Sequence, residues 1–412
     1  MGKKLKFLYV TREKHPTFRV DLTELFSVGI VGKGHSIDWH MQSISDSQDR
    51  REVINDDENV FVGRKAFGNG FSSKIKNQLF GFYHDYRISR FVKDQEYDFI
   101  QVRDKIFAGL IGRLAAKKAG VPFFYWMSFP YPEADLYRAK DYTVHFSFLM
   151  RVFYWLRGHV SSFVLYKLIL SKADFIFVQS DRMFDDVKEH GISTDKMMPI
   201  PMGISLETLS NFEPEVINDS RLKGMSVLVY LGTMVRVRRI DFLLEVLAKV
   251  LEKQINTVLL LVGDAPIQDM AFLKKRAEEL GVLDKVVFTG FVPMEKGWSY
   301  IVNSDVCLSP FRPSPILDST SPTKVVEYLA LGKPVVANKH PDQSKVLEES
   351  GAGYAVDYRP EAFAEACIQI LNDSEAAKEM GIKGIEYVQN NRTYEVLSDR
   401  LERQYQSLME SR

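Results

Sequence analysis

Short apolar runs bounded by turn residues alternate with amphipathic helical stretches along this chain, and the whole alternation occurs twice. Such a pattern calls for parallel sheets with helices on both faces, because parallel strands are buried on two sides and each return crossover needs a helix. The strand candidates of the first half are KFLYVT, SIDWHMQ, YDFIQV, PFFYWM, DFIFVQ and MMPIP. Those of the second half are SVLVYLG, TVLLLVG, KVVFTG, DVCLS, PVVAN and GYAV. With 412 residues the chain exceeds what one hydrophobic core supports, so two domains of about 200 residues with a cleft between them are expected. The stretch from Pro201 to Gly224 is polar and irregular and suits the junction. The reading is α/β, with Rossmann-like doubly wound domains at 1–205 and 206–390 and a helix at 391–412, whose stripe of Leu397, Leu401, Tyr405 and Leu408 needs an apolar surface.

Charge argues against nucleic acid as a partner: 54 basic and 54 acidic residues cancel, and no basic stripe stands out. Cys307 and Cys367, the two cysteines, lie in apolar segments without metal-ligand spacing, which fits buried thiols in a reducing compartment. The opening MGKKLKFLYVTREKH has a basic head, but its apolar stretch breaks at Thr11 and Arg12, so it reads as a first strand. No window reaches the roughly 18 apolar residues of a membrane-spanning helix. One stretch, Tyr142 to Leu170, is rich in aromatics interleaved with Arg151, Arg157 and Lys167. It is either a helix buried in the first domain or a surface that meets membrane headgroups.

The segment SPTKVVEYLALGKPVVA, Ser321 to Ala337, is the most informative chemically. Ser321 suits an N-cap and Pro322 a first helical position, with the helix running to Leu331 and stopping at Gly332. A helix start facing a cleft binds phosphate through its free N–H groups and dipole, and Thr323 and Lys324 add a hydroxyl and a cation in the first turn. Glu327, one turn on, can accept both hydroxyls of a ribose. The strand PVVA that follows puts this point at the carboxyl ends of parallel strands, where open α/β sheets bind nucleotides.

With these residues the chain resembles the retaining glycosyltransferases of the GT-B fold, family four (glycosyl transferases group one). The likeness covers nearly the whole chain and is strongest from Val227 to Asn338. It rests on VYLGTMVRVRRIDFLLEVL, LLLVGDAP, FTGFVP and EYLALGKPVVA in that order. The resemblance implies a donor-binding second domain, an acceptor-binding first domain and a C-terminal helix that packs back on the first. It implies that Gly232, Thr233, Arg236, Gly263, Asp264, Phe291, Val292 and the run Thr320, Ser321, Pro322, Thr323, Lys324 and Glu327 bind a nucleotide-diphosphate sugar, UDP- or GDP-linked rather than ADP-linked. A glycan or lipid-linked acceptor would lie near Arg12, Arg103, Asp104, Trp126 and Ser128.

Departures from the family's pattern bear on the chemistry. The family commonly has an Arg after the strand-end Gly and a Lys soon after; here Thr233 follows Gly232, and Arg236, Arg238 and Arg239 are the nearby cations, with Arg238 best aligned to the usual Lys. An acid of the family's two-glutamate motif is replaced by Ser319, with Asp318 beside it, so Asp318 or the hydroxyl run from Ser319 to Ser321 would hold the transferred sugar. Arg238, Arg239, Asp318 and Ser319 are the catalytic candidates. No carboxylate pair resembling a metal-binding DxD occurs in the donor segments, so neither a metal nor another cofactor is expected. The expected protein is a cytoplasmic, metal-independent, retaining hexosyltransferase, peripheral on the inner face of the membrane, contacting it through 142–170. A non-catalytic nucleotide-sugar-binding subunit and a GT-B epimerase are the alternatives. Asp264 either caps the next helix or meets the donor or its arginines.

Overall fold

The computed structural model describes residues 2–68, 70–140 and 146–411. Two parallel-sheet units result, Met1–Pro201 with Leu397–Arg412, and Met202–Val396. Strands in the first unit are β1 (Lys6–His15), β2 (Ser36–Ser43), β3 (Arg50–Asn55), β4 (Glu58–Gly63), β5 (Phe99–Arg103), β6 (Phe123–Met127), β7 (Phe175–Val178) and β8 (Met197–Pro199). They form one sheet in the order β3-β4-β2-β1-β5-β6-β7-β8, parallel except for β3 against β4. The hairpin β3–β4 is absent from the expected strands. Its signal is weak because β3, RREVIN, is a charged edge strand whose residues are almost all exposed, so no buried face imposes alternation.

The second unit holds β9 (Ser226–Leu231), β10 (Thr257–Val262), β11 (Val286–Phe288), β12 (Val306–Ser309), β13 (Val335–Asn338) and β14 (Gly353–Val356). All are parallel, in the order β11-β10-β9-β12-β13-β14. Strand order reverses beside β9, where its first crossover goes to β10 and β12 takes the other edge, the point at which doubly wound sheets open a crevice. Alternate residues of these strands feed two cores: Leu228, Tyr230, Leu259 and Leu261 face one helical layer, and Val227, Val229, Val258 and Leu260 the other.

The helix Tyr394–Glu410 continues from Leu397 into the first unit. There Leu397, Leu401 and Tyr405 are buried, and the Tyr405 ring lies 4.8 Å from Phe99 and 5.4 Å from Phe177. Its hydroxyl donates to Gln101 Oε1 at 2.7 Å. An apolar stripe read from the sequence thus meets an aromatic sheet face.

The buried reading of the aromatic segment fails up to Phe163 and holds for Leu165, Tyr166, Ile169 and Leu170. Residues Phe148–Ser162 form a helix that runs on through Phe163–Ile169, while Tyr142 and His145 lie outside the described residues. Phe148 and Leu149 are 77% and 78% exposed, and Phe153, Trp155, Leu156, Val160 and Phe163 also face solvent. Over Phe148–Ser162 one flank is covered by the helix Tyr131–Lys140, where Arg157 Nε donates to Asp135 at 2.6 Å, and beyond it Leu165, Tyr166 and Ile169 turn into the core. Among the described residues no helix is long and apolar enough to cross a membrane.

Truncating Tyr405 to Ala is expected to cost about 3–5 kcal/mol, as for other large aromatic truncations. Tyr405→Phe, which leaves the Gln101 oxygen unpartnered, is expected to cost about 1–2 kcal/mol. Urea unfolding followed by near-ultraviolet dichroism would check both, and equal effects would contradict the packing role of the ring.

Candidate functional site

The site is built at the carboxyl end of β9. Gly232 leaves the strand with φ 146° and Gly263 leaves β10 with φ 131°, both in the region that favours glycine. A Cβ on Gly263 would stand 2.3 Å from the Gly232 carbonyl oxygen, and one on Gly232 would stand 2.9 Å from Lys324 Cε. The two strand ends therefore approach each other because Gly263 carries no side chain, and the bare Gly232 leaves the Lys324 side chain its present path against β9. Gly232 N also donates to Val262 O at 2.9 Å, which fixes the turn.

Lys324 belongs to the helix Thr323–Ala330, which buries Val325, Val326, Tyr328, Leu329 and Ala330 against the sheet. Tyr328 ties helix to strand, since its hydroxyl accepts from Leu231 N at 2.9 Å. The start of this helix differs in detail from expectation, while its stop falls at Leu331 and Gly332 as expected. Pro322 is the N-cap, with no side chain to satisfy the first-turn N–H groups, and Leu331 closes the helix before Gly332 turns left-handed at φ 69°. Ser321 does not cap. It is buried, and its hydroxyl donates to Asp342 at 2.8 Å while accepting from Met202 N at 3.0 Å. Asp342 in turn takes Arg392 Nη2 at 2.6 Å, so Ser321 anchors the first residues of this unit to its last helices. No residue-local pattern reveals that bond, because its partners are 21 and 119 residues away.

Three arginines were candidates, and the geometry separates them. Arg236 lies over the Phe272 ring at 3.3 Å from its centroid. Arg239, in a left-handed conformation at φ 53°, clasps Asp241 through Nε and Nη2 at 3.0–3.2 Å. Arg238 is exposed and sits where its charge acts on Lys324 and on the Tyr230 hydroxyl. Burial first, and then the Arg238 charge, bring the Lys324 ammonium down to about 8, against the opposing pull of Glu327. Burial likewise raises the Glu327 carboxyl, and Lys324 pulls it back. Tyr230, read from sequence only as a strand residue, completes the group: Lys324 Nζ is 5.6 Å from its ring centroid, and its hydroxyl bonds Thr233 O at 3.3 Å. The result, among the described residues, is two cations without an ion-pair carboxylate and a helix start without a side-chain cap, gathered around a glycine turn.

Other expected donor residues divide. Phe291, 81% exposed, follows Gly290, which bridges to Gly263, so a flat apolar face stands beside the turn, with Val292 half-buried next to it. Asp264 neither caps nor meets the arginines: it accepts from its own neighbour Ala265 N at 2.8 Å, and Pro266 is the cap of the helix Ile267–Glu279. Ser319 is buried with its hydroxyl on Pro315 O at 3.3 Å, and Thr320 donates to Leu317 O at 2.6 Å. Their protons are directed into the short helix Pro315–Asp318, and Asp318 at its end is half-exposed. His340, which no sequence pattern singled out, bonds the Leu317 carbonyl at 2.8 Å and braces that turn.

In the first unit the expected acceptor residues are mostly core. Arg103 is buried, donating to Asp21 at 2.5 Å, and Trp126 is buried with its indole N–H unpartnered. Asp104, at φ 57°, accepts from Ser128 N at 2.8 Å and from the Ser128 hydroxyl. Arg12 alone of the five is exposed.

The profile described as glycosyl transferases group 1 matches residues 213–387, and that described as glycosyl transferase 4-like domain matches 76–203. An alpha-monoglucosyldiacylglycerol synthase of Streptococcus pneumoniae is 24% identical over 310 residues, 72% of this chain and 64% of that protein. The chain spans only about half the length of the next curated relatives it matches. Among solved structures, a sucrose-phosphate synthase from Thermosynechococcus elongatus superposes with TM-score 0.73 at 18% identity, over 99% of this chain and 100% of that one. Anabaena Alr3699/HepE, in complex with UDP, gives 0.67 at 15% identity over 98% and 100%.

Lys324 offers a titration test. Above about pH 8 the free protein loses this proton, and an anionic ligand, which favours the charged lysine, must restore it. UDP affinity is expected to stay level below about pH 8 and to fall by up to about tenfold per pH unit above it. Calorimetric titrations should show that slope vanish in Lys324→Gln; an unchanged slope would remove Lys324 from the site.

Proposed function

Because the chain belongs to the glycosyl transferases group 1 family, we propose that it transfers a sugar, with retention and without a metal, from a UDP- or GDP-linked donor to a lipid-linked or polysaccharide acceptor. The observation that carries this reading is the uncapped start of the helix Thr323–Ala330, flanked by Lys324 and Arg238 and followed by Glu327, at the end of β9. Free N–H groups and two cations answer a diphosphate, and Glu327 reaches the ribose. Phe291 offers its ring to the base.

In the reaction the anomeric C–O bond to the β-phosphate breaks and a bond forms from the acceptor hydroxyl to the same face of that carbon. Negative charge grows on the leaving diphosphate, and Arg238 with Lys324 stabilises it; the half-buried Lys324 acts on that charge with little reorganisation. The acceptor proton passes to the departing phosphate oxygen, so no side-chain base is needed. Asp318 remains the candidate for holding the sugar, while the hydroxyls of Ser319 and Thr320 act through the turn they stabilise.

The exposed aromatic helix supports work at the cytoplasmic face of a membrane. From Phe148 to Lys172 the chain carries Arg151, Arg157, Lys167 and Lys172 and no acidic residue, which complements anionic headgroups. The similarity to a diacylglycerol glucoside synthase supports a lipid acceptor.

A thermal-shift panel of UDP, GDP and ADP tests the donor reading. One diphosphate at about 100 times its Kd should add about 2.7 kcal/mol of stability, unaltered by EDTA. Arg238→Ala and Glu327→Ala should each weaken it by about tenfold or more. Full stabilisation in both variants, or dependence on divalent cation, would refute the assignment. For the membrane, sedimentation with phosphatidylglycerol vesicles should carry the chain down and Trp155→Glu should release it; a chain wholly in the supernatant would exclude this role.

A further inference from the structure

Where β1, β2 and β6 end, the first unit has a hollow of about 380 Å³ whose lining includes Arg12, Lys14, Phe18, Arg19, Ile44 and Tyr131. Ile44 follows β2 and Tyr131 follows β6, so the hollow lies at the carboxyl edge of a parallel sheet, where such sheets take ligands. Arg12, Glu13 and Lys14 all line it, at the end of β1 where its pairing with β2 is irregular.

The charges in this hollow are unevenly matched. Arg19 is answered by Asp21 at 2.8 Å and by Glu13 at 3.3 Å. Arg12 instead lies over the Tyr131 ring, 4.2 Å from its centroid. That contact fixes the guanidinium in place while leaving its charge uncompensated. Among the described residues neither Arg12 nor Lys14 has a carboxylate partner, and the acid between them, Glu13, is turned to Arg19. Phe18, 85% exposed, adds a ring face at the rim, suited to the C–H side of a sugar.

We propose that this hollow is the acceptor site and that it selects an acceptor bearing an anionic group, a carboxylate or a phosphate, held by Arg12 and Lys14. The proposal rests on the transferase reading above. A guanidinium held over a ring keeps N–H groups for the ligand, which suits bidentate contact with either oxyanion.

Ligand-observed NMR on the whole protein provides the test, with methyl glucuronide against methyl glucoside and glycerol 3-phosphate against glycerol. In each pair the charged probe should bind at least about tenfold more tightly at low salt, and the preference should shrink as ionic strength rises. Arg12→Gln should remove most of that preference and Lys14→Gln part of it, with the thermal midpoint held as the check on folding. Tighter binding of the glucuronide would point to an acidic glycan, and of the phosphate to a phosphorylated headgroup. Equal binding of charged and neutral probes, or a preference intact in both variants, would overturn the proposal. UDP binding by the wild-type chain separates the two failures: with UDP bound and no anion preference, only the acceptor inference falls; without UDP binding, the transferase reading falls as well.

Discussion

One hydrogen bond, from Leu231 N to the Tyr328 hydroxyl, decides where the chemistry of the second unit sits. It joins the last residue of β9 to the middle of the helix Thr323–Ala330, and so sets the free helix start beside the Gly232 turn. Gly263 makes the arrangement possible by letting its backbone close on the Gly232 carbonyl to a distance that a Cβ would forbid, and a bare Gly232 leaves room for the Lys324 side chain.

Electrostatic strain is then built into that turn. Lys324 is half-buried next to Arg238, with Glu327 as its only opposing charge among the groups acting on it, and its ammonium is weakened accordingly. A cation kept partly unsatisfied costs stability in the empty protein and returns it when an anion arrives. The neighbouring arginines show the contrast: Arg236 stacked on Phe272 and Arg239 clasped by Asp241 have their positions satisfied and stabilise the entry to the helix Asp241–Leu251.

The first unit follows the same logic with other residues. Arg103 and Asp21 neutralise each other inside the sheet, and Trp126 packs as core, so the polar residues at these strand ends mostly serve structure. What remains available is the outer part of β1, where Arg12 and Lys14 face a hollow, and an apolar helix left open to solvent over most of its length.

Much of this was legible in the residues. All twelve expected strands form, because a run such as VLVYL or VLLLV can be satisfied only by burial on both faces, and Gly332 ends its helix because it tolerates the left-handed turn. The helix bearing Lys324 and Glu327 followed from local spacing alone. Other features needed the tertiary structure. The charged edge strand β3 is held by β4, whose buried alternation of Val60 and Val62 packs it beside β2, and that support lies outside the pattern of β3 itself. Ser321 looked like a cap but bonds Asp342, and the three arginines were indistinguishable until Phe272 and Asp241 claimed two of them. Whether the aromatic helix was core or surface also waited on the fold. Local periodicity determines which segments become strands and helices; which polar group meets which partner is settled by residues distant in the chain, whose approach only the folded sheets bring about.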